Sequence, residues 1–85
     1  MKRILKFYSK TCGPCKAMSK NLEGLEGVKI QDVDIADEDN ESLLDEWKIR
    51  TVPTLIVLGE SNEFIAEFKG VVPIDKIQQA INEAS

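Results

Sequence analysis

RILKFYSKTCGPCKAMSK, Arg3–Lys20, carries both cysteines of an 85-residue chain, two residues apart. Before them, RILKFY alternates apolar and polar positions and is rich in β-formers, so Arg3–Tyr8 reads as a strand. After them, Cys15, Met18, Leu22 and Leu25 recur at helical spacing and form one apolar face. A loop through Thr11 joins the two segments, and Gly24 and Gly27 end the helix. The cysteines therefore fall where a strand gives way to a helix.

Further along, VKIQDVDI (Val28–Ile35) is a second strand. Its apolar positions change phase between Ile30 and Val33, which predicts a bulge or an early end. ADEDN is a loop, with Asp39 or Asn40 placed to cap a short helix whose inner face is Leu43, Leu44 and Trp47. TLIVL (Thr54–Leu58) is continuously apolar, as expected of a strand covered on both faces. After the turn GESNE, FIAEFK returns antiparallel, with Phe64, Ala66 and Phe68 expected on one side. Gly70 breaks this strand. Pro73 stands at the start of a last helix, where its missing N–H costs little, and Ile74, Ile77 and Ile81 are its buried stripe. The order is βαβαββα. Two βαβ units predict parallel pairing with right-handed crossovers, and the final hairpin adds an antiparallel edge. The expectation is an α/β fold in one domain, residues 1–85: a four-stranded mixed sheet with helices on both faces.

Composition narrows the function classes. Hydrophobic residues are 42% and charged residues 31%, which fits a globular chain rather than a disordered one. The longest apolar run, Leu55–Leu58, is far too short to span a membrane. Lys6, Ser9 and Lys10 interrupt the basic start, so no targeting segment is read and the cytoplasm is the expected location. The net charge of −4 is divided: Lys2–Lys20 holds six cations and no acid, Asp32–Glu46 eight acids and no cation. This reads as a solvated surface with two faces, the alternative being a basic end that docks an acidic partner. Nucleic-acid binding is not expected of an acidic chain without an interleaved aromatic platform. A calcium loop counted from Asp37 would need glycine at its sixth position and a carboxylate at its twelfth; Ser42 and Lys48 stand there.

Three readings compete for Cys12 and Cys15. A structural zinc site needs four Cys or His ligands, and the chain has two cysteines and no histidine. A structural disulfide here would close a loop of only a few residues and remove little unfolded-state entropy. The third reading is a redox dithiol, for which Cys-x-x-Cys in a βαβ context is a recognised signal. At a helix start, Cys12 lies beside unpaired backbone N–H groups and the positive end of the helix dipole. Both favour a thiolate, which is the nucleophile. Cys15, one turn on, is more covered and within reach of Cys12. Gly13 lets a substrate approach closely, and Pro14 supplies a helix-compatible φ. The residues favour this third reading, with Cys12 attacking a substrate disulfide and Cys15 resolving the mixed disulfide.

The motif CGPCK (Cys12–Lys16) resembles that of the thioredoxins. IRTVPTLIVL (Ile49–Leu58) is similar to the stretch of that family that ends in a cis-proline and runs into a central strand. FKGVVPIDKIQQAI (Phe68–Ile81) is similar to its last strand, glycine and final helix. The resemblance covers essentially the whole chain, in a short form without the N-terminal strand and helix of full-length thioredoxins. It implies Cys12 as nucleophile and Cys15 as resolving cysteine, in an active-site loop with Thr11, Gly13, Pro14 and Lys16. It also implies a cis Val52–Pro53 bond, with Val52 pairing to substrate backbone and Gly70 beside the groove.

The implied activity is reduction of protein disulfides by a monomer with no bound cofactor or metal. Its electrons would come from a flavoprotein thioredoxin reductase with NADPH, and ribonucleotide reductase is one candidate substrate. Two departures stand out. Thr11 replaces the family's tryptophan, and Lys6 occupies the position of a buried aspartate that relays a proton. Lysine is rarely buried, so Lys6 is expected to point to solvent; the alternative is a place near the sulfurs, where it would lower their pKa values electrostatically. A glutathione-dependent, glutaredoxin-like reductase is the alternative enzyme, although KGVVPID stands where glutaredoxins carry a Gly-Gly segment. A redox-inert peptide-binding module is the non-enzymatic alternative, one that has no need of vicinal cysteines.

Overall fold

Strand β1 (Lys2–Tyr8) lies inside a four-stranded sheet of order β2–β1–β3–β4, in a computed structural model that describes residues 1–83. The last two residues of the expected 1–85 domain lie outside the described residues. The other elements are α1 (Gly13–Leu22), β2 (Val28–Asp34), α2 (Glu41–Glu46), β3 (Thr54–Leu58), β4 (Phe64–Lys69) and α3 (Ile74–Glu83). A 3₁₀ turn, Glu38–Asn40, precedes α2.

Alternation along β1 divides the core. Ile4 meets Met18 and Leu22 of α1, Leu55 and Val57 of β3, and Ile77 and Ile81 of α3. Leu5 and Phe7 point the other way, to Val33, Ile56 and Leu58, under Leu43, Leu44 and Trp47 of α2. The sheet is thus covered by α1 and α3 on one face and α2 on the other, as expected. Each fully buried Ile or Leu contributes roughly 1.5–3 kcal/mol relative to exposure. The uninterrupted apolar run of β3 follows from its position between the two layers, and all five of its residues are buried.

Three expectations are corrected. First, only β1 and β2 are parallel; β3 is antiparallel to β1 and to β4. Helix α2, with six residues, is about 9 Å long and does not run the length of the sheet. A seven-residue strand spans about 23 Å. The chain re-enters the sheet at the end where β2 left it. Second, β2 has no bulge: its register with β1 is regular from Lys2↔Val28 to Tyr8↔Asp34. The change of phase is a change of burial. Val28 and Ile30 pack under α1 and α3, while Val33 and Ile35 pack under α2.

Third, the irregularity lies in β4, where Leu58 pairs with Phe64 but Val57 pairs with Ala66. The extra residue turns Phe64 to the α2 face, stacked on Trp47 at 6.2 Å, while Ala66 and Phe68 stay on the α1/α3 face. The expectation that all three share a side does not hold.

Helix α2 ends in a Schellman motif: Ile49 N–H donates to Leu44 C=O (3.0 Å) and Lys48 N–H to Asp45 C=O (3.3 Å), with Lys48 at φ 52°. A lysine in the left-handed region costs about 1 kcal/mol that glycine avoids. Lys48→Gly should therefore raise stability by about 0.5–1 kcal/mol, read as a rise of several degrees in the thermal midpoint. An unchanged or lower midpoint would contradict the strain at this cap.

Candidate active site

The strand-to-helix junction is organised by Cys12. Its N–H donates to Ser9 C=O (3.1 Å), closing the loop. Cys12 is the N-cap of α1, in extended conformation, and its Sγ accepts the Cys15 N–H at 3.1 Å. A sulfur is here placed where Ser or Asp usually caps, so an orphan donor of the helix points at the atom that must carry negative charge. Pro14 occupies the first turn, where no N–H is missed. Cys12 and Cys15 are joined as a disulfide with Cα atoms 5.2 Å apart.

The two sulfurs differ in access. Cys12 is half-buried within an exposed loop, whereas Cys15 is 3% exposed. Gly13, Pro14 and Lys16 face solvent, and a Cβ added at Gly13 would meet nothing within 4 Å. Thr11 is exposed too. Its hydroxyl lies 3.1 Å from Ser9 Oγ and its N–H donates to the same atom at 3.4 Å, so it braces the loop.

The sheet brings the remaining predicted residues to the same end, where β1 runs out. Thr54, at the start of β3, pairs with Phe7 on one side and Lys69 on the other. The Val52–Pro53 bond is cis, and Pro53 is buried. Gly70, at φ 78°, donates its N–H to Pro53 C=O at 2.9 Å. Two residues on, Val72 N–H donates to Met18 Sδ at 3.2 Å, tying this segment to α1. The backbone of Val52 makes no hydrogen bond among the described residues, which leaves it open to an added strand.

Behind the cysteines the structure corrects the reading of Lys6. It does not point to solvent; it is 6% exposed, on the face of β1 that packs under α1. Its Nζ donates to Ser19 Oγ, lies 3.4 Å from Asp32 Oδ1 and sits 5.1 Å from the centre of the Tyr8 ring. Neither Ser19 nor Asp32 stands out in the sequence as a site residue. The usable signal was register: in a parallel β1–β2 pair, Lys6 sits directly beside Asp32. Two cations of the basic segment thus meet acids of the acidic one: Lys6 at Asp32, and the exposed Lys10 at 3.9 Å from Asp34. The loop acids serve turns: Asp34 Oδ1 accepts Ala36 N–H and Asp37 Oδ1 accepts Asp39 N–H. Asn40 takes the N-cap position of α2 but donates its side-chain amide to Asp34 C=O instead.

A two-cysteine helix start and a cis-proline at the same end of this four-stranded sheet define a thiol–disulfide oxidoreductase. The chain belongs to the thioredoxin family, whose profile matches residues 1–83. It is 30% identical over 80 residues to thioredoxin of Bacillus subtilis (strain 168), covering 91% of this chain and 76% of that one. It is 33% identical over 84 residues to the chloroplastic F-type thioredoxin of Spinacia oleracea, spanning 95% of this chain and 43% of that one. The short form of spinach chloroplast thioredoxin f superposes with a TM-score of 0.77 at 34% identity, over 98% of this chain and 75% of the other. A malaria-parasite thioredoxin-2 gives 0.83 at 24% identity, over 98% and 82%, a likeness in fold. Among the described residues, no helix is long and apolar enough to cross a membrane.

Gly70 offers a local check. A Cβ there meets nothing within 4 Å, so Gly70→Ala carries only the strain of its positive φ. The expected loss is about 1–2 kcal/mol in chemical denaturation. Gly13→Ala, in open space at ordinary φ, should change stability by less than about 0.5 kcal/mol. Equal effects of the two substitutions would contradict this assignment.

Proposed function

We propose that this protein reduces protein disulfides, with Cys12 as nucleophile and Cys15 as resolving thiol. The observation that supports the assignment best is the inequality of the two sulfurs: the accessible one receives a helix N–H and the covered one supplies it. In the reduced protein the Cys12 thiolate attacks one sulfur of a substrate disulfide. The Cys12–substrate bond forms, and the first substrate thiolate leaves with the electron pair and takes a proton from solvent. Cys15 then loses its proton and attacks Cys12 Sγ. The Cys12–Cys15 bond forms, the second substrate thiolate departs, and the two electrons of the dithiol now reside on the substrate. Thr11, Gly13, Pro14 and Lys16 form the surface on which the reacting sulfur is presented. Val52, its own backbone unpaired among the described residues, holds the substrate backbone beside Pro53, with Gly70 keeping that corner in place.

Family membership supports a reductase and disulfide-bearing proteins as partners. A flavoprotein thioredoxin reductase with NADPH regenerates the dithiol, and the protein works as a monomer in the cytoplasm with no cofactor of its own. Ribonucleotide reductase is one disulfide substrate to assay.

Dithiothreitol-driven insulin reduction should be abolished by Cys12→Ser; activity equal to the parent would refute the mechanism. Cys15→Ser should accumulate a mixed disulfide through Cys12, seen as a covalent adduct that reductant releases. The Cys12 thiol should titrate below the ordinary value of about 8.5. NADPH consumption with thioredoxin reductase, set against reduction by glutathione, identifies the electron source; glutathione alone sufficing would favour the glutaredoxin-like reading.

A further inference from the structure

Lys6 is a buried cation that shares a cavity with one of the two cysteines and not the other. The cavity, about 250 Å³, is lined by Lys6, Tyr8, Ser9, Lys10, Cys15, Lys16, Ser19 and Asp32; Cys12 does not line it. Ser19 connects the two elements, accepting from Lys6 Nζ and donating its own hydroxyl to Cys15 C=O at 3.1 Å. Asp32, 62% exposed, closes the outer side of the lysine at 3.4 Å. Glu23, the C-cap of α1, lies with Lys6 and Asp32 around a second cavity that Cys15 does not line. The charged groups that share a cavity with the resolving cysteine are thus Lys6, Lys10 and Lys16 against Asp32, and only Lys6 is buried.

A thiol buried as deeply as Cys15 resists ionisation, because the thiolate loses its hydration. Cys15 must nevertheless become a thiolate to resolve the mixed disulfide. Its helix N–H is committed to Cys12 Sγ, so it needs another source of positive potential. We propose that Lys6, restrained by Asp32 and Ser19, is a positioning residue that supplies this potential and so sets the rate at which Cys15 releases the substrate.

The inference rests on the roles assigned to Cys12 and Cys15 above. In the step, the Cys15 S–H proton passes to water in the open polar cavity, and Lys6 keeps its own protons throughout. The thiolate pair then forms the Cys12–Cys15 bond, and the substrate thiolate leaves with the pair of the broken bond and is protonated by solvent. Lys6 contributes charge, not a proton. Asp32 opposes it, being an anion in the same cavity and the partner that offsets the ammonium field.

The test is stopped-flow reaction of the reduced protein with less than one equivalent of the aromatic disulfide 5,5′-dithiobis(2-nitrobenzoate) across a pH series. Release of the first thionitrobenzoate reports attack by Cys12, and release of the second reports resolution by Cys15. In Lys6→Met the midpoint of the second phase should rise by about one pH unit, an opposite charge nearby being worth one to a few units. Its rate at neutral pH should fall about threefold, because the tenfold loss of thiolate is partly offset by higher intrinsic nucleophilicity. The first phase should change by less than about twofold. Lys6→Arg should restore the parent profile, and Asp32→Asn should move the second midpoint downward. The opposite signs separate a field effect from general loosening. If Lys6→Met does not fold, the exposed Asp32 still decides the matter: no downward shift in Asp32→Asn overturns the proposal. An unchanged second phase in both variants also overturns it. A first phase that survives in Cys12→Ser but not in Cys15→Ser would instead refute the assigned cysteine roles.

Discussion

Strand β1 is hydrogen-bonded along both edges, parallel to β2 and antiparallel to β3, and everything at the active edge depends on that double pairing. Its C-terminal end delivers the cysteine loop. Its antiparallel partner starts at that same end, which brings Val52, Pro53 and Gly70 to the end of the sheet that carries the cysteines, although some forty to sixty residues separate them in sequence. Its parallel partner sets Asp32 against Lys6. Had β3 run parallel, as the element order alone implies, its first residues would stand at the opposite end of the sheet. Instead Thr54 pairs with Phe7, at the end where β2 leaves the sheet.

The chemistry then depends on giving two identical side chains different surroundings. Cys12 caps a helix and is reached from solvent. Cys15 is inside the first turn, under the loop and against a polar cavity. A three-residue offset on a helix is enough to produce this asymmetry, because the N-terminal donors are confined to the first turn and burial rises sharply behind it. The cap bond and the cis-proline corner are fixed by backbone geometry. Thr11 and Lys6 are side-chain changes laid over that frame, which is why the reaction class survives them while the environment of the thiols differs.

Several readings failed in ways that share a cause. The phase change in β2, the placement of Phe64 and the direction of Lys6 all depend on which face of the sheet is covered, and by what. Periodicity reports alternation along one segment; it does not report that α1 and α3 cover one face while the shorter α2 covers only part of the other. Val28 and Ile30 serve one layer and Val33 and Ile35 the next, so a regular strand mimics a bulged one. Phe64 crosses to Trp47 because of one extra residue opposite Leu58, invisible in an alternating sequence. Lys6 is buried against the usual preference of lysine because Asp32, Ser19 and the Tyr8 ring satisfy it from three directions.

What the sequence determined by itself is local: the strand-to-helix junction, the cysteine spacing, the proline in the first turn, the order of elements and the apolar stripes of α1 and α3. These follow from contacts within a few residues, where spacing and conformation are coupled directly. The pairing direction of β3, the meeting of Pro53 with Gly70 and the Lys6–Asp32 pair behind Cys15 were decided by tertiary structure. Each joins residues from segments distant in the chain, and their meeting depends on sheet register and helix length rather than on any property of the residues taken alone.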